Sequence, residues 1–385
     1  MVYPKEFPMP LIHLLVKPAS SLCNMRCRYC FYADEAAHRT QASMGLMTRA
    51  TAEAMIRQAL EAAGPQGSVT FAFQGGEPTV AGLDFFREFV AAVARYNTGR
   101  LPVSYSLQTN GYALDADWAD FLARNRFLVG ISVDGDKALH DEFRVDAGGK
   151  GTWTRVQKNL ALLQAAGVDC NLLCVVTRRC AKSAVRTYHA LQKTGVGYLQ
   201  FIPCLDPLEE PRGQCPWSLT PEDYGGFLCA LFDEWYRDWA NGRYTSVRLF
   251  DDYVHLAMGL PASTCASSGQ CGAYYVVEAD GGVYPCDFYV LDEWKLGNLL
   301  ETPLAELGRS ERAADFLRAG LQHPAACGRC PWQRLCAGGC KRDWTTTDAS
   351  GQVENYYCPA FRRFFAHAES RLRQIAAAER RARGL

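Results

Sequence analysis

The sequence predicts an α/β fold, a partial (β/α)6 barrel followed by a cysteine-rich C-terminal region. Three observations carry that prediction. Short apolar strands alternate with helical segments six times between Leu11 and about Leu205, and they are rich in Val, Ile, Leu, Phe and Tyr as buried parallel strands are. Six such units fall short of the eight that close a full barrel, so the sheet is expected to stay open on one side. The 17 cysteines are also uneven, with three near the N-terminus, eight from Cys265 to Cys358 and six scattered between.

Taken in order, the expected strands are Leu11–Val16, Val69–Phe73, Val103–Leu107, Leu128–Val133, Asn171–Val176 and Tyr198–Ile202. Between the first two, Ala52, Met55, Ile56, Ala59 and Leu60 recur at helical spacing, with Glu53, Arg57 and Gln58 on other faces. Further helices are expected near Asp84–Arg95, Ala116–Arg124, Thr152–Ala166 and Lys182–Lys193. Pro203 to Ser218 reads as a Pro-rich connector, and aromatic-rich helical sequence follows around Phe227–Trp239. The expected division is a barrel over 11–205, a connector over 206–262, a cysteine-rich region over 263–365 and a terminal helix over 366–385. The Arg-rich end from Arg371 to Arg383 reads as the solvated face of that helix.

The chain has 385 residues, 48% hydrophobic and 21% charged, which suits a soluble globular protein with ample core. Lys+Arg and Asp+Glu are equal at 41 each, which argues against nucleic acid or an anionic membrane as a bulk electrostatic partner. Met1 to Pro10 do not read as a signal peptide, and no stretch approaches the ~18 apolar residues that span a bilayer. A cytoplasmic location is expected, where cysteines serve as metal ligands more often than as disulfides.

The chemistry concentrates in Cys23-Asn-Met-Arg-Cys27-Arg-Tyr29-Cys30. Three thiolates at this spacing suit three irons of a cubane [4Fe–4S] cluster and leave the fourth iron open for chemistry. A partial zinc site or unpaired core thiols would use the same residues. The second array runs Cys265-x5-Cys271-x9-Gly281-x4-Cys286, then Cys327-x2-Cys330-x5-Cys336-x3-Cys340-x17-Cys358. Eight cysteines suffice for two closed [4Fe–4S] clusters or two zinc sites, and spacing alone does not choose. Gly281 is expected in the hairpin turn Ala279-Asp280-Gly281-Gly282, where a positive φ is needed. Cys174 and Cys204 lie in or beside strands and read as small buried hydrophobes. After strand two, Gln74-Gly75-Gly76-Glu77-Pro78 lets backbone approach a ligand without a Cβ in the way.

The first array resembles the cluster motif of the radical S-adenosylmethionine (SAM) enzymes, and the second resembles the SPASM domain of their peptide-modifying branch. That resemblance implies a TIM-like partial barrel, three [4Fe–4S] clusters and SAM. It implies an N-terminal cluster on Cys23, Cys27 and Cys30, one auxiliary cluster on Cys265, Cys271, Cys286 and Cys340, and another on Cys327, Cys330, Cys336 and Cys358. SAM contacts carried over are Gly76, Ser132, Arg144, Leu205 and the backbone of Tyr29. Arg144 has physical support, since a guanidinium pairs bidentately with a carboxylate.

Narrower segments are similar to the anaerobic sulfatase-maturating enzymes. They are Lys17-Pro-Ala-Ser-Ser-Leu-Cys23, Phe71-Ala-Phe-Gln-Gly-Gly-Glu-Pro-Thr79, Ser106-Leu-Gln-Thr-Asn-Gly111, Leu199-Gln-Phe-Ile-Pro-Cys-Leu-Asp-Pro-Leu208 and Val283-Tyr-Pro-Cys-Asp-Phe-Tyr-Val-Leu-Asp292. The resemblance implies oxidation of a Cys or Ser in an unfolded or nascent sulfatase to Cα-formylglycine, begun when a 5′-deoxyadenosyl radical takes a Cβ hydrogen. On this resemblance Asp287 is the proton acceptor, Tyr32 and Gln74 contact substrate, and the auxiliary clusters take up the electron. A flavodoxin or ferredoxin is the implied reductant. The alternatives are a SPASM enzyme forging thioether or carbon–carbon crosslinks and, in another class, a non-enzymatic metal scaffold.

Overall fold

The computed structural model describes residues 11–272 and 274–384, so the reading of Met1 to Pro10 lies outside the described residues. Its contacts divide the chain into two compact units. The first comprises Met1–Ile131, Val145–Cys170 and Tyr274–Phe316, and the second Ser132–Arg144, Asn171–Ala273 and Leu317–Leu385.

In the first unit, β1 (Leu11–Val16), β2 (Ser68–Phe73), β3 (Val103–Thr109) and β4 (Leu128–Ser132) are neighbours in sequence order, and all pair in parallel. The bounds match expectation to within two residues. Phe71, Phe73, Phe86, Phe89 and Phe127 are buried together, with Phe73 meeting Phe86 and Phe89 nearly edge-on at 4.8 and 5.0 Å. Such contacts add to the area already removed from water. The helix Arg49–Ala63 buries the apolar set the spacing predicts, and Thr48 caps it by accepting from the Thr51 N–H.

The outer edge of β1 pairs in parallel with Tyr275–Val277 (a strand numbered β8 below), which turns back antiparallel into Gly282–Tyr284 (β9) and then Gly297–Asn298 (β10). Gly281 has φ 88° in the turn between β8 and β9, as its spacing predicts. The linear division into residues 263–365 is therefore not the division into compact units, because Val276 and Val277 are fully buried against β1 and carry Tyr274–Phe316 into the first unit. An uncovered strand edge exposes unpaired N–H and C=O groups, and β8 removes that liability.

The second unit contains most of β5 (Asp169–Val176), with β6 (Tyr198–Pro203) and β7 (Ser246–Val247), paired in parallel in that order. Its largest helices, Pro221–Ala240 and Cys358–Arg383, pack through Phe227, Leu231 and Phe232 on one side and Phe364, Ala368 and Leu372 on the other. The terminal helix begins at the last cysteine, eight residues before the expected start, because Phe364 and Phe365 already belong to its buried face. Arg380, Arg381 and Arg383 occupy its last turn, solvated and favourably placed for the helix dipole. Among the described residues no helix is long and apolar enough to cross a membrane.

His140 is fully buried in this unit and accepts from the Asp134 N–H through Nδ1 at 3.3 Å. Burial, then the nearby Arg144 charge, pulls its pKa down to about 4. The unfolded chain binds a proton there that the folded chain refuses, so stability present above about pH 6.5 is lost as pH falls toward 4. The expected loss is about 3 kcal/mol over that window. Denaturant unfolding of wild type and His140→Gln as a function of pH checks this, the variant being expected to show the flatter profile.

Candidate active site

The N-terminal cysteines follow β1 directly. The loop entering Cys23 is held by two backbone bonds from the end of β2, Gly76 N–H to Ser20 O at 2.9 Å and Glu77 N–H to Leu22 O at 2.8 Å. A Cβ on Gly76 would lie 2.3 Å from the Leu22 carbonyl oxygen, so only glycine permits this approach. Gly75, at φ 118°, leaves room for the Lys17 stem, whose Cγ would stand 2.8 Å from a Cβ there. Gly76→Ala is therefore expected to displace the cysteine loop and cut 5′-deoxyadenosine formation by at least tenfold (about 1.4 kcal/mol in the barrier) while far-UV circular dichroism stays unchanged.

The Glu77 carboxylate is buried and fully engaged. Oε1 accepts from Thr79 N–H and from the Thr79 and Thr109 hydroxyls, and Oε2 accepts from Asn110 N–H at 2.7 Å. It ties the end of β2 to the end of β3. Sequence reading gave Glu77 no role of its own and did not single out Asn110.

Downstream of Cys30, the helix Phe31–Ala37 places Tyr32 and Glu35 three apart on one face. Asp287 opens the 3-10 turn Asp287–Tyr289 after β9, and Val290 beyond it is fully buried with Leu15, Val276 and Tyr284. Glu35 Oε1 accepts from Val290 N–H at 2.9 Å, which fixes the turn against the helix. Tyr32 OH donates to Asp287 Oδ2 at 2.5 Å, Gln74 Nε2 donates to the Tyr32 oxygen, and Gln74 also reaches Oδ2 at 3.2 Å. Three residues singled out from the sequence, Asp287, Tyr32 and Gln74, thus meet in one group.

The sequence reading missed the cation at its centre. Lys17 Nζ lies 3.4 Å from Asp287 Oδ1, 3.6 Å from Glu35 Oε2 and 4.8 Å from the Tyr32 ring centroid. Burial alone would lower the Lys17 pKa, but Asp287, Glu35 and Glu278 together raise it, so the ammonium is kept. Burial, and then the Asp287 charge, push Tyr32 far above its ordinary value, which keeps it a donor. Asp287 Oδ1 is buried and accepts no hydrogen bond, its nearest cation being Lys17 at 3.4 Å. A basic residue at a strand end, at the position where such folds gather function, was the available signal.

The residues that the resemblance implies for SAM are divided between the units. In the first unit Tyr29 is buried beside Cys30. In the second, Ser132 closes β4, Leu205 lies two residues past β6, and Arg144 caps the helix Lys137–Phe143. Arg144 donates from Nε and Nη2 to Asp134 at 2.9 and 3.2 Å, which fixes that edge of the guanidinium.

Four cysteines of the second array, Cys327, Cys330, Cys336 and Cys358, line one cavity with Trp332, Phe361 and Phe365. The donor set and its apolar surround fit a fully ligated cluster. The loop carrying Cys265 and Cys271 lies against the turn before Cys340, since a Cβ on Gly269 would stand 2.7 Å from the Ala337 carbonyl oxygen. Cys286 belongs to the first unit. All 17 cysteines are free of disulfides.

A radical SAM superfamily profile matches residues 18–179, and an iron-sulfur cluster-binding domain profile matches residues 268–331. The cysteine-type anaerobic sulfatase-maturating enzyme of Clostridium novyi (strain NT) is 42% identical over 96% of this chain and 98% of its own. The serine-type enzyme of Bacteroides thetaiotaomicron is 31% identical over 94% and 90%. The solved structure "Native anSMEcpe with bound AdoMet and Kp18Cys peptide" superposes with a TM-score of 0.90 at 41% identity, covering 96% of this chain and 100% of that one. SAM and iron–sulfur clusters are therefore the cofactors, and the fold is the α/β architecture the sequence predicts. With its parallel βα units, its two cysteine arrays and this full-length similarity, the chain belongs to the anaerobic sulfatase-maturating enzymes of the radical SAM superfamily.

Proposed function

We propose that this chain oxidises a cysteine side chain of an unfolded sulfatase to Cα-formylglycine. The observation that carries the reading is the buried Asp287, set between Tyr32, Gln74 and Lys17 with Oδ1 accepting no hydrogen bond. Cysteine is preferred over serine because identity to cysteine-type relatives is 41–42%, against 31–32% for serine-type relatives. When bound, SAM and the reduced N-terminal cluster would supply the radical that removes a Cβ hydrogen.

The chain's own residues would do the rest. Cys23, Cys27 and Cys30 hold that cluster. Gly76, Ser132, the Tyr29 backbone, Leu205 and Arg144 hold SAM. Cys265, Cys271, Cys286 and Cys340 hold one auxiliary cluster and Cys327, Cys330, Cys336 and Cys358 the other. Asp287 Oδ1 takes the thiol proton, which Tyr32 and Gln74 aim by holding Oδ2, and Lys17 offsets the buried charge. Placing the acceptor carboxylate next to ligand Cys286 couples proton loss to electron loss. A flavodoxin or ferredoxin is the reductant, and the cytoplasm is the setting that free thiols favour.

The test is mass spectrometry of anaerobic reactions with SAM, reductant and peptides bearing Cys-x-Pro-x-Arg or Ser-x-Pro-x-Arg. The Cys peptide is expected to lose two hydrogens and exchange sulfur for oxygen. If 5′-deoxyadenosine forms while both peptides stay unchanged, the sulfatase reading is wrong and a crosslinking substrate replaces it.

A further inference from the structure

The end of β3 presents a side-chain amide to the cysteine loop. Asn110 Nδ2 lies 3.7 Å from Cys23 Sγ and 2.8 Å from Asn24 Oδ1. The amide is oriented rather than free to flip. Its Oδ1 accepts from the Tyr112 N–H at 2.9 Å, which leaves Nδ2 facing the sulfur, and its own N–H is held by Glu77 Oε2 at 2.7 Å. Glu77 is in turn fixed by Thr79 and Thr109, and Asn110 is 9% exposed. Cys23 Sγ receives one further donor, the Met25 N–H at 3.4 Å. A buried carboxylate with four donors, none of them solvent, thus ends in one N–H aimed at one cysteine.

We propose that Asn110 is a positioning residue for the N-terminal cluster, donating from Nδ2 to Cys23 Sγ and so raising the cluster's reduction potential, with Glu77 and Tyr112 fixing its orientation. The inference rests on Cys23 being a cluster ligand. The physical reason is charge. One-electron reduction adds negative charge to the cluster and its thiolates, and a fixed N–H dipole stabilises that state more than the oxidised one. Donated to a thiolate ligand, the bond is charge-assisted, and it is partly withdrawn from water. This also gives Glu77 a task, since both its oxygens are engaged in holding the end of β3.

The test is a redox titration of the reconstituted full chain, followed by the electron paramagnetic resonance signal that changes when SAM is added. Asn110→Leu is expected to make the midpoint more negative. At a fixed solution potential the reduced-to-oxidised ratio should fall about tenfold, equivalent to about 59 mV for one electron. Asn110→Asp keeps the acceptor for Tyr112 N–H but replaces the donor with a charge, and should shift further in the same direction. Iron content matching wild type shows that each variant is loaded, and should Asn110→Leu fail to load, the Asp variant decides alone. Cys23→Ala separates the two layers of argument. If that variant keeps the SAM-responsive signal, the ligand assignment is wrong and the inference falls with it. If the signal is lost in Cys23→Ala, but the loaded Asn110 variants titrate at or above the wild-type midpoint, the inference alone is overturned.

Discussion

Asp287→Asn is expected to abolish formylglycine formation while leaving SAM cleavage in place. The substitution keeps the shape of the side chain and an oxygen for the Tyr32 hydroxyl and Gln74 amide, but removes the group able to accept a proton. Loss of a positioned general base costs typically 10²–10⁴-fold, about 3–5 kcal/mol of barrier. In the proposed sequence hydrogen abstraction precedes that proton transfer, so 5′-deoxyadenosine should still accumulate with little product. Quantifying both in one anaerobic time course checks the claim. A fall in product of less than about tenfold would assign the proton to another group, and parallel loss of 5′-deoxyadenosine would mean that Asp287 acts earlier, in binding.

The second large effect is on stability. Arg39 Nη1 donates to Glu278 Oε1 at 2.6 Å, and the two side chains are 2% and 1% exposed. Glu278 lies just past β8, and Arg39 also holds the Ala42 carbonyl oxygen at 2.7 Å, so the pair fastens the segment after the cysteine loop to the hairpin. Arg39→Met strands a buried carboxylate and is expected to cost about 3–5 kcal/mol. The double variant Arg39→Met/Glu278→Met should recover most of that loss, because apolar groups of similar volume replace a buried pair at little cost. Denaturant unfolding of the four chains reads the coupling directly. If the single and double variants are equally destabilised, the charge is not what the fold depends on.

Much of this was legible in the sequence. The parallel strands announce themselves because burial on both faces demands continuous apolar runs, and Leu11–Val16 is found with its expected bounds. Asp287, Tyr32 and Gln74 were legible through the family resemblance, and the structure brings them within hydrogen-bonding distance of one another. Lys17, Glu35, Glu77 and Asn110 were not. Each lies in a segment whose local pattern is satisfied without it, and each takes its role from partners distant in sequence, 255 residues away for Glu35 and Val290. No window of periodicity contains such a pair. The pairing of β8 with β1 escaped for the same reason, since three short residues, Tyr275–Val277, carry little signal until the edge they cover is known.

That pairing sets a timetable for the nascent chain. Strand β1 has one neighbour, β2, within about sixty residues, but must wait for Tyr275–Val277 before its other edge is covered. Until then Lys17 has no Asp287, and the Tyr32 hydroxyl has no carboxylate to hold. The N-terminal cysteine loop is therefore translated long before Asp287 can reach Tyr32 and Lys17. Contacts this remote in sequence form late and slowly. A half-made chain would therefore carry an exposed edge on β1, open to pairing with the wrong strand, until Tyr275–Val277 arrives.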